Sequence, residues 1–258
     1  MSNPGDARLA LLALAAEAMY TDPDVLEPPA DPYLAASGWQ LRRYIAAADT
    51  VLGAAAPHVY YGFVAERTDA AGQYAVVVRG TERFVEWVID AEFTLVKHPR
   101  AGEVEDGFWG VYTSMALVGS TSSMPLVNDL AEFATAGSQV TVVGHSLGAA
   151  LATYLAFDLA THFPRAKVSA RIFASPRPGD EAFTQAVDAA IPDCRAYAYD
   201  RDLVPKVPFS FGYAHLGSLV ALPADPAIRD TPLANHHAAN YAWLIDHPTG
   251  APVALLPA

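Results

Sequence analysis

Ser146 stands between two glycines in Gly144-His145-Ser146-Leu147-Gly148. A serine hydroxyl is a weak nucleophile at neutral pH. It needs a base, usually histidine, and a carboxylate that holds the base in one tautomer. Gly-x-Ser-x-Gly supplies such a serine when it forms the sharp turn between a strand and a helix. The flanks have that character. Val140-Thr141-Val142-Val143 is a short β-branched apolar run, and an Ala/Leu-rich run continues through Phe157. In so tight a turn the serine side chain stands clear of the sheet, and Gly144 and Gly148 remove side chains that would collide. The N–H of Leu147, at the helix N-terminus, then points toward any oxyanion formed at Ser146.

In α/β-hydrolase sites the acid and then the histidine follow the serine along the chain. Asp180, Asp200 and Asp202 are the later acids at strand ends. Asp180 reads as a helix N-cap and Asp200 as a turn residue bonded to its own backbone. Asp202 follows the strand Arg195 to Tyr199 and leads into Leu203-Val204-Pro205. Loops at the C-terminal ends of parallel strands are where such folds place their sites. His215, His236, His237 and His247 are the later histidines. His236 and His237 follow Asn235, a good N-cap, at the start of the last helix, and both stay open as the base. A second oxyanion donor belongs on a loop after an earlier strand, and Thr81 in Arg79-Gly80-Thr81 is placed for it.

The elements that must position these residues follow from periodicity. Asp6 to Tyr20 reads as a helix capped by Asp6, and Trp39 to Ala55 as another with Leu41, Ile45, Ala48 and Leu52 on one face. Val59 to Ala65 and Gln73 to Val78, split by Asp69-Ala70-Ala71-Gly72, predict a β-hairpin. Glu82 to Ala91 has Phe84, Trp87, Val88 and Ala91 at i, i+3, i+4 and i+7, opposite Arg83, Glu86 and Asp90. Glu105-Asp106-Gly107 opens an aromatic helix. After the elbow come a strand from Val168, a helix from Glu181, an outer strand within His215 to Leu222 and a last helix from Asn235 to Ile245. Strands alternate with helices from residue 73 onward, which predicts a parallel sheet with helices on both faces, in one domain spanning 1–258.

The 258 residues are 52% hydrophobic and 17% charged, enough for a substantial core. A formal net charge of −12 excludes nucleic acid as a natural partner and disfavours anionic membranes. Cys194 is the single cysteine, so no intrachain disulfide forms, and no Cys/His metal-ligand spacing appears. Leu9 to Ala18 is apolar, but Asp6 precedes it, Glu17 interrupts it, and a basic n-region and cleavage site are missing. No run approaches a membrane span of about 18 residues. The expectation is a soluble protein, cytoplasmic or secreted, without a recognisable signal peptide.

Several segments together resemble the class 3, fungal-type lipases with their feruloyl esterase and bacterial relatives. They are Val78-Arg79-Gly80-Thr81, the segment around Trp87, Asp106-Gly107-Phe108, the Gly-His-Ser-Leu-Gly elbow, Ser175 to Asp180, Asp202-Leu203-Val204-Pro205, Gly212 to Gly217, and the final histidine with Tyr241. They run in the family's order from about residue 59 to 245. The resemblance implies an α/β-hydrolase fold with a predominantly parallel central sheet and a short lid helix at Glu82 to Ala91. It implies Ser146 as nucleophile, Asp202 as acid and Thr81 with Leu147 as oxyanion hole. It places the base at the start of the last helix, where the spacing to Tyr241 favours His236 and leaves His237 as the alternative. It gives His215 a structural role and makes Phe84, Trp87 and Val88 substrate-facing lid residues. It implies no metal or organic cofactor.

The expected activity is carboxylic-ester hydrolysis on lipid or other acyl esters, with a feruloyl-type or short-chain esterase as the alternative. A non-catalytic relative that binds ligand in the same cleft is the reading from a different class. An ester, met in solution or at a lipid–water interface, is the expected partner.

Overall fold

The computed structural model describes residues 2–48, 57–81, 92–120, 125–209 and 211–247. Helix α1 (Pro4–Ala18) opens on a proline, whose missing N–H is no loss in a first turn. Its cap is Asn3, which accepts from the Asp6 N–H at 3.2 Å. Asp6, expected as the cap, is instead buried. Its carboxylate accepts from Arg171 Nε at 2.7 Å, Arg195 Nη1 at 2.9 Å and the Tyr197 hydroxyl at 2.5 Å. This network ties α1 to strands far along the sequence.

After the short helix α2 (Pro32–Ala36) comes strand β1 (Trp39–Ala48), where a helix through Ala55 was expected. Residues 49–56 lie outside the described residues. The physical reason for the correction is two register irregularities in the pairing of β1 with β2 (His58–Arg67), at Leu41/Arg43 and Ile45/Ala46. Each bulge interrupts the period of two, so the apolar residues fall at spacings of three and four and mimic a helical face. β2 forms the expected antiparallel hairpin with β3 (Gln73–Val78).

β4 (Leu95–Lys97) and β5 (Glu103–Glu105) make a small separate ladder. Helix α3 (Asp106–Ser114), strand β6 (Ala116–Leu117) and helix α4 (Leu126–Asp129) lead to β7 (Gln139–His145). The elbow helix α5 (Leu147–His162) is followed by β8 (Lys167–Phe173), α6 (Glu181–Ala190), β9 (Cys194–Tyr199) and β10 (Leu219–Leu222). The single last helix expected from the sequence is two, α7 (Pro232–His236) and α8 (Ala238–Asp246). Asn235 lies inside α7, and Thr231 and His237 are the caps.

The strands form one sheet in the order β10-β9-β8-β7-β3-β2-β1-β6. From β3 through β7, β8, β9 and β10 every pairing is parallel, as expected from residue 73 onward. Alternation splits the interior into two cores. Val76, Val78 and Val142 join the cluster that contains Leu151, Leu155 and Phe183. Val77 and Val143 join the one that contains Leu12, Ala16 and Tyr241. The first cluster lies under α5, the second under α1 and α8. Helix α5 is buried from Leu147 through Leu159, consistent with a sequence apolar all round. Among the described residues no helix is long and apolar enough to cross a membrane.

Candidate active site

Val78, the last residue of β3, pairs with Gly144, two residues before Ser146, so the exits of these strands lie side by side. At the exit of β7 the chain turns within Ser146, whose φ is +58° and ψ −132°. A non-glycine residue held there stores about 1–3 kcal/mol of backbone strain. Close approach explains the flanking glycines. A Cβ on Gly144 would lie 2.2 Å from the Gly148 carbonyl oxygen, and one on Gly148 would lie 2.3 Å from the Arg79 carbonyl oxygen. Leu147 is the first residue of α5, where N–H groups have no carbonyl partner within the helix. The Arg79-Gly80-Thr81 exit packs on the same turn: a Cβ on Gly80 would stand 2.9 Å from Ser146 Cβ. Thr81 follows, half-buried.

His236 closes α7 and reaches both partners. Its Nε2 is 2.7 Å from Ser146 Oγ and its Nδ1 is 2.8 Å from Asp202 Oδ2. The carboxylate can only accept from Nδ1, so Nε2 is left to accept the serine proton. All three side chains are buried, with Ser146 and Asp202 each 1% exposed. Asp202 sits in the turn after β9. Its Oδ1 accepts from the Val204 N–H at 3.0 Å, and its Oδ2 accepts a second bond from the Tyr241 hydroxyl at 2.7 Å.

The other candidates lie elsewhere. His237 caps α8, its Nδ1 accepting from the Ala239 N–H at 3.2 Å. Asp200 is exposed, and Asp180 caps α6 by accepting from the Phe183 N–H at 2.7 Å. The His215 imidazole bonds to the Pro205 carbonyl, and burial holds its pKa below the ordinary value. His247 bonds to the Trp243 carbonyl. Phe84, Trp87 and Val88 lie outside the described residues, as does all of the expected lid at 82–91.

Tyr241 enters the sequence reading only as a spacing marker. Its hydroxyl, on α8, accepts from the Tyr199 N–H at 3.0 Å and donates to Asp202. Burial, with the Asp202 carboxylate beside it, pushes its pKa well above the ordinary value, so it stays a donor. Tyr241→Phe strips one donor from a buried carboxylate and one acceptor from a buried N–H. We expect a loss of about 1–3 kcal/mol in denaturant unfolding, with a modest fall in turnover.

A buried carboxylate, an imidazole and a serine hydroxyl in line, with the serine on a strained strand–helix turn, define a serine hydrolase site on an α/β-hydrolase fold. The family model for Lipase (class 3) matches residues 75–212. The chain belongs to that family. The matched stretch carries Thr81, Ser146, Leu147 and Asp202; His236 lies beyond it. Among curated relatives, the chain is 34% identical over 195 residues to phospholipase A1-II 4 of Oryza sativa subsp. japonica, covering 64% of this chain and 48% of that protein. It is 35% identical over 187 residues to phospholipase A1-II 1 of Oryza sativa subsp. indica, covering 62% and 47%. The chain thus spans about half the length of the curated relatives it matches. Among solved structures, M37 lipase superposes with a TM-score of 0.71 at 16% identity over 93% of each chain. The Rhizomucor miehei triacylglyceride lipase gives 0.59 at 22% identity, covering 84% of this chain and 78% of that one. At these identities the two likenesses speak for the fold alone.

Proposed function

We propose that the protein hydrolyses acyl esters of lipids through a serine acyl-enzyme. The hydrogen-bonded line Ser146–His236–Asp202 carries the reading. Ser146 Oγ attacks the ester carbonyl as His236 Nε2 takes its proton, and Asp202 stabilises the imidazolium that forms. The N–H groups of Leu147 and Thr81 receive the negative oxygen of the tetrahedral intermediate. His236 then gives the proton to the departing alcohol oxygen. Water, deprotonated by the same imidazole, releases the fatty acid. The apolar stripe Phe84, Trp87 and Val88 is the segment we assign to the acyl chain.

The rice relatives, phospholipases A1 by name, favour a phospholipid among lipid esters. The net charge of −12 favours a zwitterionic over an anionic surface. The test is one panel: phosphatidylcholine vesicles, phosphatidylglycerol vesicles, emulsified triacylglycerol, p-nitrophenyl butyrate and palmitate, and methyl ferulate. Fatty acid release is expected fastest from a lipid ester, with phosphatidylcholine ahead of phosphatidylglycerol. One fluorophosphonate should add per chain, at Ser146. Turnover of methyl ferulate alone would give the feruloyl esterase reading instead. No hydrolysis of any ester and no fluorophosphonate adduct would leave a ligand-binding relative.

A further inference from the structure

The residue before the nucleophile, His145, is buried and bridges two distant parts of the chain. Its Nδ1 lies 2.7 Å from Glu17 Oε1 in the last turn of α1, and its Nε2 lies 2.7 Å from the main-chain oxygen of His236. The His145 and His236 rings pack with centroids 4.8 Å apart. Glu17 also stands against the strand exit that carries Thr81: a Cβ on Gly80 would meet Glu17 Oε1 at 2.7 Å and the His145 carbonyl oxygen at 2.9 Å. Three residues further on, the Tyr20 ring lies 3.8 Å from the Arg79 guanidinium, which donates to the Gly80 carbonyl at 2.9 Å. The end of α1 and the residues just after it therefore touch the elbow and the Arg79-Gly80-Thr81 exit, and reach the main chain of His236 through His145.

We infer that Glu17 is a positioning residue: through His145 it fixes the main chain of His236 and, by direct packing, the Gly80–Thr81 exit, so that both face Ser146 in one geometry. This rests on the serine hydrolase reading above. A carboxylate is uncommon at a helix position facing a core, and burial opposes charge on both partners. Each nonetheless favours the charged form of the other. Burial works to raise Glu17 and lower His145, but the imidazolium holds Glu17 below the ordinary carboxylate value, and the carboxylate holds His145 above the ordinary imidazole value. When protonated, the ring donates from both nitrogens, one to Glu17 and one to the His236 carbonyl. Among the described residues, His236, His237 and Asp202 also act on the pair through their charge.

Displacing a catalytic group by about an ångström costs on the order of 100-fold in rate. Glu17→Ala is therefore expected to lower kcat about 30- to 100-fold on p-nitrophenyl butyrate with KM within about twofold, because substrate contacts are kept while the base and oxyanion donors drift. Glu17→Gln keeps the shape and one hydrogen bond, so it should recover most of that loss. It also removes the ion pair. Its Tm deficit relative to wild type should be largest between the ordinary values of 4.5 and 6.5. The deficit should shrink as pH rises through the raised His145 pKa or falls through the lowered Glu17 pKa.

Asp6→Asn, at the far end of the same helix, supplies the control: it weakens the docking of α1 without touching the site. The inference predicts that Asp6→Asn lowers Tm and leaves kcat in place. It is overturned if Glu17→Ala keeps kcat within about twofold of wild type, or if Asp6→Asn lowers kcat as much as Glu17→Ala does. Should Glu17→Ala fail to fold, Glu17→Gln decides: a Tm deficit flat across pH overturns the pairing. Ser146→Ala run alongside separates the two readings. Wild-type turnover in that variant sinks the hydrolase assignment, whereas a dead Ser146→Ala beside a fully active Glu17→Ala sinks the brace alone.

Discussion

Ser146→Ala is expected to lower ester turnover by about 10⁴- to 10⁶-fold while the chain keeps its fold. Among the described residues the side chain bonds only to His236, so removing Oγ leaves the sheet and both cores intact. Ser146→Gly should be equally inactive yet differ in stability. The backbone at φ +58° and ψ −132° is strained for serine and for alanine but ordinary for glycine. Unfolding in denaturant should therefore place Ser146→Gly above Ser146→Ala by about 1–2 kcal/mol. A fluorophosphonate that still labels either variant at full stoichiometry would move the nucleophile elsewhere. A glycine variant no more stable than the alanine variant would mean the turn stores no strain.

His236→Ala should be as damaging, about 10⁴- to 10⁶-fold in turnover, because among the described residues His236 is the base bonded to the serine hydroxyl. Its neighbour makes the contrast. His237 bonds to the start of α8, so His237→Ala removes a helix cap worth about 1 kcal/mol and leaves the Ser146–His236–Asp202 line in place. Turnover in His237→Ala should stay within about tenfold of wild type. Measuring kcat on a soluble ester, with Tm as the companion readout, checks both. Activity lost in His237→Ala and kept in His236→Ala would reverse the assignment of the base.

The elbow was legible because all its requirements are local: a β-branched strand, two glycines around a serine, and an Ala/Leu-rich helix. The parallel half of the sheet was legible for the same reason, through alternation of strand and helix. What escaped depends on contacts across the chain. The β1 strand escaped because its bulges against β2 impose a spacing that no single-strand pattern carries. Asp6 looks like a helix cap until Arg171, Arg195 and Tyr197 surround it. Glu17 looks like a polar interruption of an apolar run until the fold sets it beside His145. The choice between His236 and His237 turns on a helix break that Asn235, a good cap by type, conceals. The acid was narrowed by its place after β9, and Tyr241 as its second donor required the docking of α8.

The packing of α1 against α8 sets when chemistry can begin in the life of a chain. The Asn3 N–H donates to the Ile245 carbonyl at 3.1 Å, so elements near the two ends of the described chain meet. A ribosome delivers α1 and the first hairpin early, the elbow later, and the segment with His236 and Tyr241 later still. Ser146 has no base until that segment has emerged and docked on a helix made more than 200 residues before it. Parallel pairings and such distant contacts also fold slowly. The nascent protein therefore carries an inert serine until that segment docks, and the onset of fluorophosphonate reactivity on ribosome-bound chains of increasing length would time that step of its folding.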